Sequence, residues 1–143
     1  MTQKVFSNTP NPKINPYNND PLATPFTINT VTCKNRLVRS ATMENMVDTQ
    51  GKATPAYVDL YNRLALGGIG LIITGHMYVD VNGRSTPGMA GLDRDDQIIP
   101  LQKTTEKVHE QGTKIFAQLN HVGFKALHEP TLHKKILAPS KTR

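Results

Sequence analysis

The sequence feature that most constrains the fold is a series of short apolar runs separated by segments of helical length. The run IGLIITG at residues 69–75 is bounded by glycines, and TKIFAQL at 113–119 has the same character. RLVRS at 36–40 adds a shorter run of strand-forming residues. Amphipathic segments at 54–68 and 97–112 separate the three runs. Helices that alternate with buried strands require crossover connections, so the sequence predicts an α/β fold with a parallel sheet.

The first predicted helix, TPAYVDLYNRLALGG, carries start and stop signals at both ends. Thr54 is a good N-cap, Pro55 suits the first helical position, and Gly67 suits the C-terminal stop. Its apolar residues recur at helical spacing and predict one buried face. They are Val58, Tyr61, Leu64 and Ala65.

The second predicted helix, QIIPLQKTTEKVHEQG, follows a loop at 79–96 that is rich in Gly and Asp. Asp95 or Asp96 is expected to cap it, Pro100 to lie in its first turn, and Gly112 to end it. Its expected buried residues are Ile99, Leu101 and Val108. The strand after it, TKIFAQL, is expected to be buried.

The N-terminal part of the chain differs in composition from the rest. Residues 1–24 are rich in Asn and Pro, and repeated X-Pro steps disfavour both helix and strand, so we expect an irregular arm. From Pro25 onward, PFTIN and TVTC have the β-branched content of a short β-hairpin. The expected organisation is an arm at 1–24 and one folded domain at 25–143.

Composition indicates a soluble, cytoplasmic protein. A chain of 143 residues is long enough for one domain with a real core. Its one cysteine, Cys33, excludes an internal disulfide framework and is compatible with a reducing cytosol. The sequence has neither a long apolar run nor the apolar segment of a secretory signal, so we expect no membrane span.

The net charge of +6 suggests nucleic acid as one candidate partner. The densest basic group lies near the C-terminus and has no aromatic residues interleaved with it. It consists of Lys134, Lys135, Lys141 and Arg143. We interpret this group as a solvated face and expect no nucleic-acid binding.

Each apolar strand turns polar where it is expected to end. These polar stretches are SATME at 40–44, TGHM at 74–77 and QLNH at 118–121. In parallel α/β folds, function collects at the carboxyl ends of the strands. The groups offered are hydroxyls, amides and imidazoles, and they lack the regular spacing of metal ligands. The alternative for Gln118 is a purely structural role, in which its amide forms hydrogen bonds only within its own loop. No Rossmann fingerprint or P-loop is present.

Four motifs in order resemble the old yellow enzyme family, the NADH:flavin oxidoreductases. They are KNRLVRSATMENM, GKATPAYVDLYNRLALGGIGLIITG, NGR and VHEQGTKIFAQLNHVGFKA, and the likeness runs from about residue 25 to 140. The resemblance implies a (β/α)8 TIM barrel with FMN at the carboxyl ends of its strands. It also implies hydride transfer from NADH or NADPH to the flavin, and then to a small-molecule acceptor such as an electron-poor alkene.

The resemblance further implies seven flavin contacts. They are Ser40, Ala41, Thr42 and Met43 after the first barrel strand, Gly75 and His76 after the second, and Gln118 after the third. In this family the Gln118 position would bind the pyrimidine end of the flavin. A neutral amide suits that end because it donates and accepts hydrogen bonds at once. Donors placed there would also stabilise the negative charge of reduced flavin.

This chain departs from the family pattern in two motifs and in length. Met43 stands where many members have Cys or Thr, and residues 121–124 read HVGF where HAGR is common. A full barrel takes about 250 residues, so this chain supplies about three of eight strands. The family's catalytic tyrosine, its substrate-binding His pair and its phosphate site are not among them, so we assign no catalytic residue.

Three hypotheses follow. The first is the N-terminal part of an FMN enzyme that is active when completed. The second is a non-catalytic fragment that associates with a complementary C-terminal chain, or with further copies of itself. The third, ranked last, is a basic nucleic-acid binder.

Overall fold

The computed structural model describes residues 20–126 and 139–140. Most of the predicted arm at 1–24 and the basic group near the C-terminus lie outside these residues. The last residues of the arm include a single 3-10 turn at Pro21–Ala23, capped by the Asp20 side chain.

A β-hairpin precedes the main sheet, as predicted. Strands β1 (Phe26–Ile28) and β2 (Val31–Cys33) pair antiparallel, with Ile28 opposite Val31. Asn29 in the two-residue loop has φ of 52°, a conformation that Asn tolerates better than most residues.

The main sheet is parallel and is built around one central strand, β4 (Leu71–Tyr78). On one edge, β3 (Val38–Arg39) pairs with the start of β4 and β5 (Ala90–Gly91) pairs with its end. Strand β6 (Lys114–Asn120) pairs with β4 along the other edge. The predicted parallel α/β class is therefore confirmed.

Two helices cover one face of this sheet. Helix α1 (Pro55–Leu66) begins after Thr54, whose hydroxyl accepts the Tyr57 N–H at 3.4 Å, and ends at Gly67. Helix α2 (Ile98–Glu110) follows a 3-10 turn at Asp95–Gln97. The predicted boundaries of α1 are confirmed, and those of α2 differ by one or two residues at each end.

The core lies between the two helices and β4. Its buried members are Tyr57, Tyr61, Ala65, Ile72, Met77, Ala90 and Val108. The rings of Tyr57 and Tyr61 lie 4.8 Å apart and fill the space between α1 and the sheet. The helices therefore protect one face of the sheet, and the carboxyl ends of its strands emerge beyond this core.

Two predictions of burial are wrong. Ile99 is 64% exposed, because the buried positions of α2 are Thr104 and Val108, with Leu101 partly buried, and Ile99 lies about 200° around the helix from Leu101. Strand β6 has no buried residue, because β4 is the only strand that pairs with it within residues 20–126.

The loop at 79–96 contains strand β5, which the sequence did not predict. Only two residues form it, Ala90 and Gly91, and both are buried against the end of β4. So short a strand has no periodicity to detect. Within the described residues, neither helix is long and apolar enough to cross a membrane.

Candidate functional site at the carboxyl edge of the sheet

A gap in strand pairing lies on one edge of β4. Strand β3 pairs with Leu71 and Ile72, and β5 pairs with Met77 and Tyr78, so residues 73–76 have no strand beside them on this edge. The chain that leaves β3 fills the gap. A Cβ built on Gly75 would lie 2.9 Å from the Met43 Cα and 2.9 Å from the Thr42 carbonyl oxygen. Glycine is required here because the two backbones touch.

The first four predicted site residues form this segment, which directly follows β3 as expected. Ser40 and Thr42 are exposed, whereas Ala41 and Met43 are half-buried. The Thr42 hydroxyl donates to the Ser40 carbonyl at 3.2 Å. The Thr86 hydroxyl donates to the Met43 sulfur at 3.8 Å. Hydroxyl groups therefore remain accessible along the segment.

A β-bulge on β4 shapes the opposite edge. Ile73 pairs with Phe116 and His76 pairs with Gln118, so β4 advances three residues where β6 advances two. The Thr74 hydroxyl compensates by accepting the Gln118 N–H at 3.1 Å and donating to the Gly75 carbonyl at 2.9 Å. Bulges are frequent beside active sites because they redirect side chains.

His76 and Gln118 lie side by side as a result. They are register partners on adjacent strands, on the sheet face opposite the one that carries Met77 and Leu119. His76 Nε2 lies 3.4 Å from the Ser85 hydroxyl, and the Gln118 side chain is exposed. The seven predicted residues thus come from adjoining stretches of chain, because Thr42 and Met43 approach Gly75, and the next residue on β4, His76, pairs with Gln118.

The predicted strand ends need one correction. Gly75, His76 and Gln118 were expected to follow their strands, but they lie within β4 and β6. Pairing continues to Tyr78 and Asn120, because polar side chains on one face do not interrupt backbone hydrogen bonds.

Glu44 adjoins the candidate site, but the sequence analysis gave it no role beyond its place in the polar stretch at 40–44. Its Oε1 accepts the Gly75 N–H at 2.8 Å, and the Tyr61 hydroxyl oxygen lies 3.2 Å from the same nitrogen. Burial raises the pKa of Glu44 above its ordinary value, and the hydrogen bond from Gly75 offsets part of that rise. Its place directly after the Ser40–Met43 segment was the one available signal.

The polar residues at this edge of the sheet have the chemistry needed to contact the polar edge of a flavin. The exposed Gln118 amide and the His76 imidazole lie on the non-helical face of β4 and β6, and the exposed residues Ser40 and Thr42 belong to the segment that packs on Gly75. Such neutral groups donate and accept, as the alternating donors and acceptors of the flavin ring require. Among residues 20–126 and 139–140, no group of three His, Cys, Asp or Glu side chains is placed to hold a metal ion.

Curated relatives resemble most of this chain. It is 42% identical over 120 residues to an NADPH dehydrogenase of Bacillus subtilis, which covers 83% of this chain and 34% of the relative. An NADPH dehydrogenase of Halalkalibacterium halodurans is 37% identical over 116 residues, covering 80% and 33%. This chain therefore spans about a third of the length of these relatives.

Solved structures show the same fold. The old yellow enzyme from Pichia sp. AKU4542 matches with a TM-score of 0.72 and 26% identity, over 78% of this chain and 29% of that one. The old yellow enzyme homologue from Zymomonas mobilis matches with a TM-score of 0.67 and 28% identity, over 71% and 28%. The prediction of a partial TIM barrel is thereby confirmed.

A family model also covers nearly the whole described region. The model of the NADH:flavin oxidoreductase / NADH oxidase family matches residues 21–142. These residues include the β3, β4 and β6 strands and all seven residues of the candidate site. With the relatives at 37–42% identity, this match confirms the resemblance drawn from the four motifs. The chain belongs to the NADH:flavin oxidoreductase / NADH oxidase family.

Proposed function

We propose that this chain supplies the N-terminal strands of an FMN-dependent oxidoreductase. NADH or NADPH is the reductant, and an electron-poor alkene or a similar small molecule is the acceptor. Family membership supports the reaction class, and the relatives called NADPH dehydrogenase support the reductant. A cytoplasmic location is part of the proposal, because Cys33 is a buried free thiol, as is usual in a reducing compartment.

The observation that carries the proposal is the pairing of His76 with Gln118 beside the Ser40–Met43 segment. Parallel strands bring their carboxyl ends to one edge of the sheet, which is where TIM-barrel enzymes bind ligands. Three separate segments thus contribute polar groups to one surface. The predicted contacts come from these three segments.

Each group has a role that follows from its chemistry. FMN, when bound, accepts a hydride and passes it on. The Gln118 amide would donate to and accept from the pyrimidine edge, and His76 would offer an N–H from whichever nitrogen is protonated. Ser40 and Thr42 would add hydroxyl contacts. Because these donors are already in place, they stabilise developing negative charge without reorganising.

The first test is flavin binding by the purified chain and its Gln118→Leu variant. We expect the wild-type chain to retain yellow colour after desalting and to quench FMN fluorescence on titration. Losing the amide removes one or two hydrogen bonds worth about 1–3 kcal/mol in total, which corresponds to roughly a 5-fold to 150-fold higher Kd. If the isolated chain binds too weakly, the titration is repeated with the complementary segment described below.

Gln102→Leu is the matched control. Gln102 lies exposed on α2, and its side-chain amide donates to Glu106 at 2.8 Å, so it belongs to the helical side of the sheet and not to the candidate site. Equal FMN affinity in the two leucine variants would contradict the proposed role of Gln118. Failure to bind FMN, both alone and with the complementary segment, would overturn the proposed function.

A second candidate function is a half-barrel that is inactive until a complementary chain docks. Both sheet edges expose apolar side chains: Leu119 and Phe124 are 64% and 55% exposed beside β6, and Leu37 and Val38 are 46% and 45% exposed at β3. A cavity of about 230 Å³ also opens between α2 and β6. Exposed apolar strand edges favour pairing with another segment.

The complement is expected to resemble the remaining two thirds of the relatives, since this chain matches 34% of the Bacillus subtilis enzyme. We expect that part of the Bacillus subtilis enzyme, when co-expressed, to co-purify with this chain and to protect β6 amides from hydrogen exchange. Leu119→Lys should weaken the association at least 10-fold. Leu119 is the register partner of Met77, and the substitution places a charge on the apolar sheet face that these two residues share.

Ile99→Lys is the control for the association test, because Ile99 is equally exposed at 64% but lies on α2. Weakening by both variants to the same extent would argue against docking at β6. Light scattering of the chain alone distinguishes the homo-oligomer, which would form without any complement.

A further inference from the structure

Glu44 occupies an unusual position for a carboxylate. It fills the place of a missing strand partner on β4, in the gap between β3 and β5. Its Oε1 accepts the Gly75 N–H at 2.8 Å, and its Oε2 lies 2.6 Å from where a Gly75 Cβ would be. A buried backbone N–H that loses its partner is destabilising, so the contact is a strong local constraint.

The same contact restrains the candidate flavin site. Glu44 directly follows the Ser40–Met43 segment, and its side chain joins that segment to β4. Few other polar contacts hold the segment to the sheet. The Thr42 hydroxyl bonds within the segment, and the Met43 sulfur accepts a long 3.8 Å contact from Thr86 in the following loop. The exposed hydroxyls of Ser40 and Thr42 therefore depend on Glu44 for their position relative to His76.

We propose that Glu44 is a positioning residue for the flavin site, acting through the Gly75 amide to hold the Ser40–Met43 segment against β4. This inference rests on the proposed function for its consequence, but the contact itself can be tested without flavin. Glu44 does not need to touch the cofactor. It acts through Met43 and Thr42, whose backbones pack on Gly75.

The charged groups around Glu44 determine how the contact depends on pH. His76 and Arg39 favour its charged form, while burial favours the neutral form and raises its pKa. Tyr61 shares the Gly75 N–H, and the buried Tyr57 hydroxyl is close enough for its own pKa to be raised by Glu44 as well as by burial. A protonated carboxyl accepts a weaker hydrogen bond than a carboxylate. The contact therefore weakens as pH falls through the raised pKa.

The stability of the chain has the opposite pH dependence. Because the folded state binds the Glu44 proton more tightly than the unfolded state, this group lowers stability as pH rises from 4.5 through the raised pKa. Glu44→Gln removes that decrease and keeps an oxygen acceptor for Gly75. As pH rises across this window, Glu44→Gln should therefore become increasingly stable relative to wild type.

The experiment compares amide exchange by NMR in wild type, Glu44→Gln and Glu44→Ala. Glu44→Ala should reduce the protection of Gly75 at least 10-fold and loosen the amides of residues 41–43, while Val108 in the core keeps its protection. Glu44→Gln should restore most of this protection. In wild type, the Gly75 amide shift should titrate with an apparent pKa above the ordinary value of 4.5, and Glu44→Gln should remove that titration.

Flavin affinity provides the second readout. We expect Glu44→Ala to raise the FMN Kd about 10-fold and Glu44→Gln to change it less than about threefold. Glu106→Ala is the control, because Glu106 is exposed on α2. If Glu44→Ala does not fold, the wild-type titration and the Glu44→Gln variant still decide the contact.

Two outcomes would overturn the inference. One is unchanged protection of Gly75 and residues 41–43 in Glu44→Ala. The other is a Gly75 amide whose shift does not follow Glu44. Absence of FMN binding by wild type, even with the complementary segment, would contradict the proposed function instead, since the exchange data would still decide whether Glu44 holds the segment.

Discussion

Gly75→Ala is expected to destabilise the chain by about 3 kcal/mol or more, which is a large part of the total stability of a small domain. The added Cβ would lie 2.6 Å from Glu44 Oε2 and 2.9 Å from the Met43 Cα and the Thr42 carbonyl oxygen. Two of these three neighbours are backbone atoms, which cannot rotate away. The Ser40–Met43 segment must therefore move off β4, and the Glu44 hydrogen bond is lost with it.

Urea denaturation followed by circular dichroism measures this effect, and FMN titration shows whether the segment has moved. Gly67→Ala is the control, because Gly67 ends α1 with φ of −67° and its new Cβ would meet nothing closer than the Leu64 carbonyl at 3.2 Å. We expect a change below about 1 kcal/mol there. Similar losses in both variants would show that the close approach at Gly75 is unimportant.

Arg84→Met is expected to cost about 3–5 kcal/mol. Arg84 is 4% exposed, and its guanidinium donates to three backbone carbonyls: those of Thr86 and Thr49, each at 2.9 Å, and that of Pro87. It also lies 5.6 Å from the centre of the Tyr78 ring. Methionine fills much of the volume but leaves all three carbonyls without this donor, so the loops around 49 and 84–87 should separate.

The loss should also reach the candidate site, because Ser85 follows Arg84 and its hydroxyl contacts His76. Thermal unfolding measures the stability, and the NMR chemical shifts of the His76 ring report the change in its surroundings. Arg84→Lys keeps the charge without the planar fork and should give an intermediate loss. Arg63→Met, at an exposed position on α1 paired with Asp59, should change stability by less than about 0.5 kcal/mol. Equal stability of Arg84→Met and wild type would refute the role of this clamp.

Local signals allowed most of the fold to be predicted. Thr54, Pro55 and Gly67 determine the bounds of α1 through capping and fixed φ, which are short-range effects. The first half of β4 could be recognised as a core strand because Leu71, Ile72 and Ile73 are consecutive apolar residues. The strand–helix alternation then leaves few topologies other than a parallel sheet.

Burial was harder to predict than secondary structure. Ile99 and Val108 are both apolar residues of α2, yet one is 64% exposed and the other fully buried. The sequence pattern alone does not show which stripe of the helix meets β4 and α1. Strand β6 has the composition of a buried strand. Within residues 20–126, however, it pairs only with β4 and has no buried residue.

The candidate site also combines features that the local sequence determines with features that depend on packing. The sequence alone determined the order of the strands and the polar residue types near their carboxyl ends, because residue type and strand order are local properties. Only the tertiary structure decided that His76 and Gln118 are neighbours, since the β4 bulge sets their register. It also decided that Glu44 bonds to Gly75, which is 31 residues away in the chain, and that Arg84 holds its loop. Contacts of this kind depend on how separate segments pack, and no local pattern of residues specifies them.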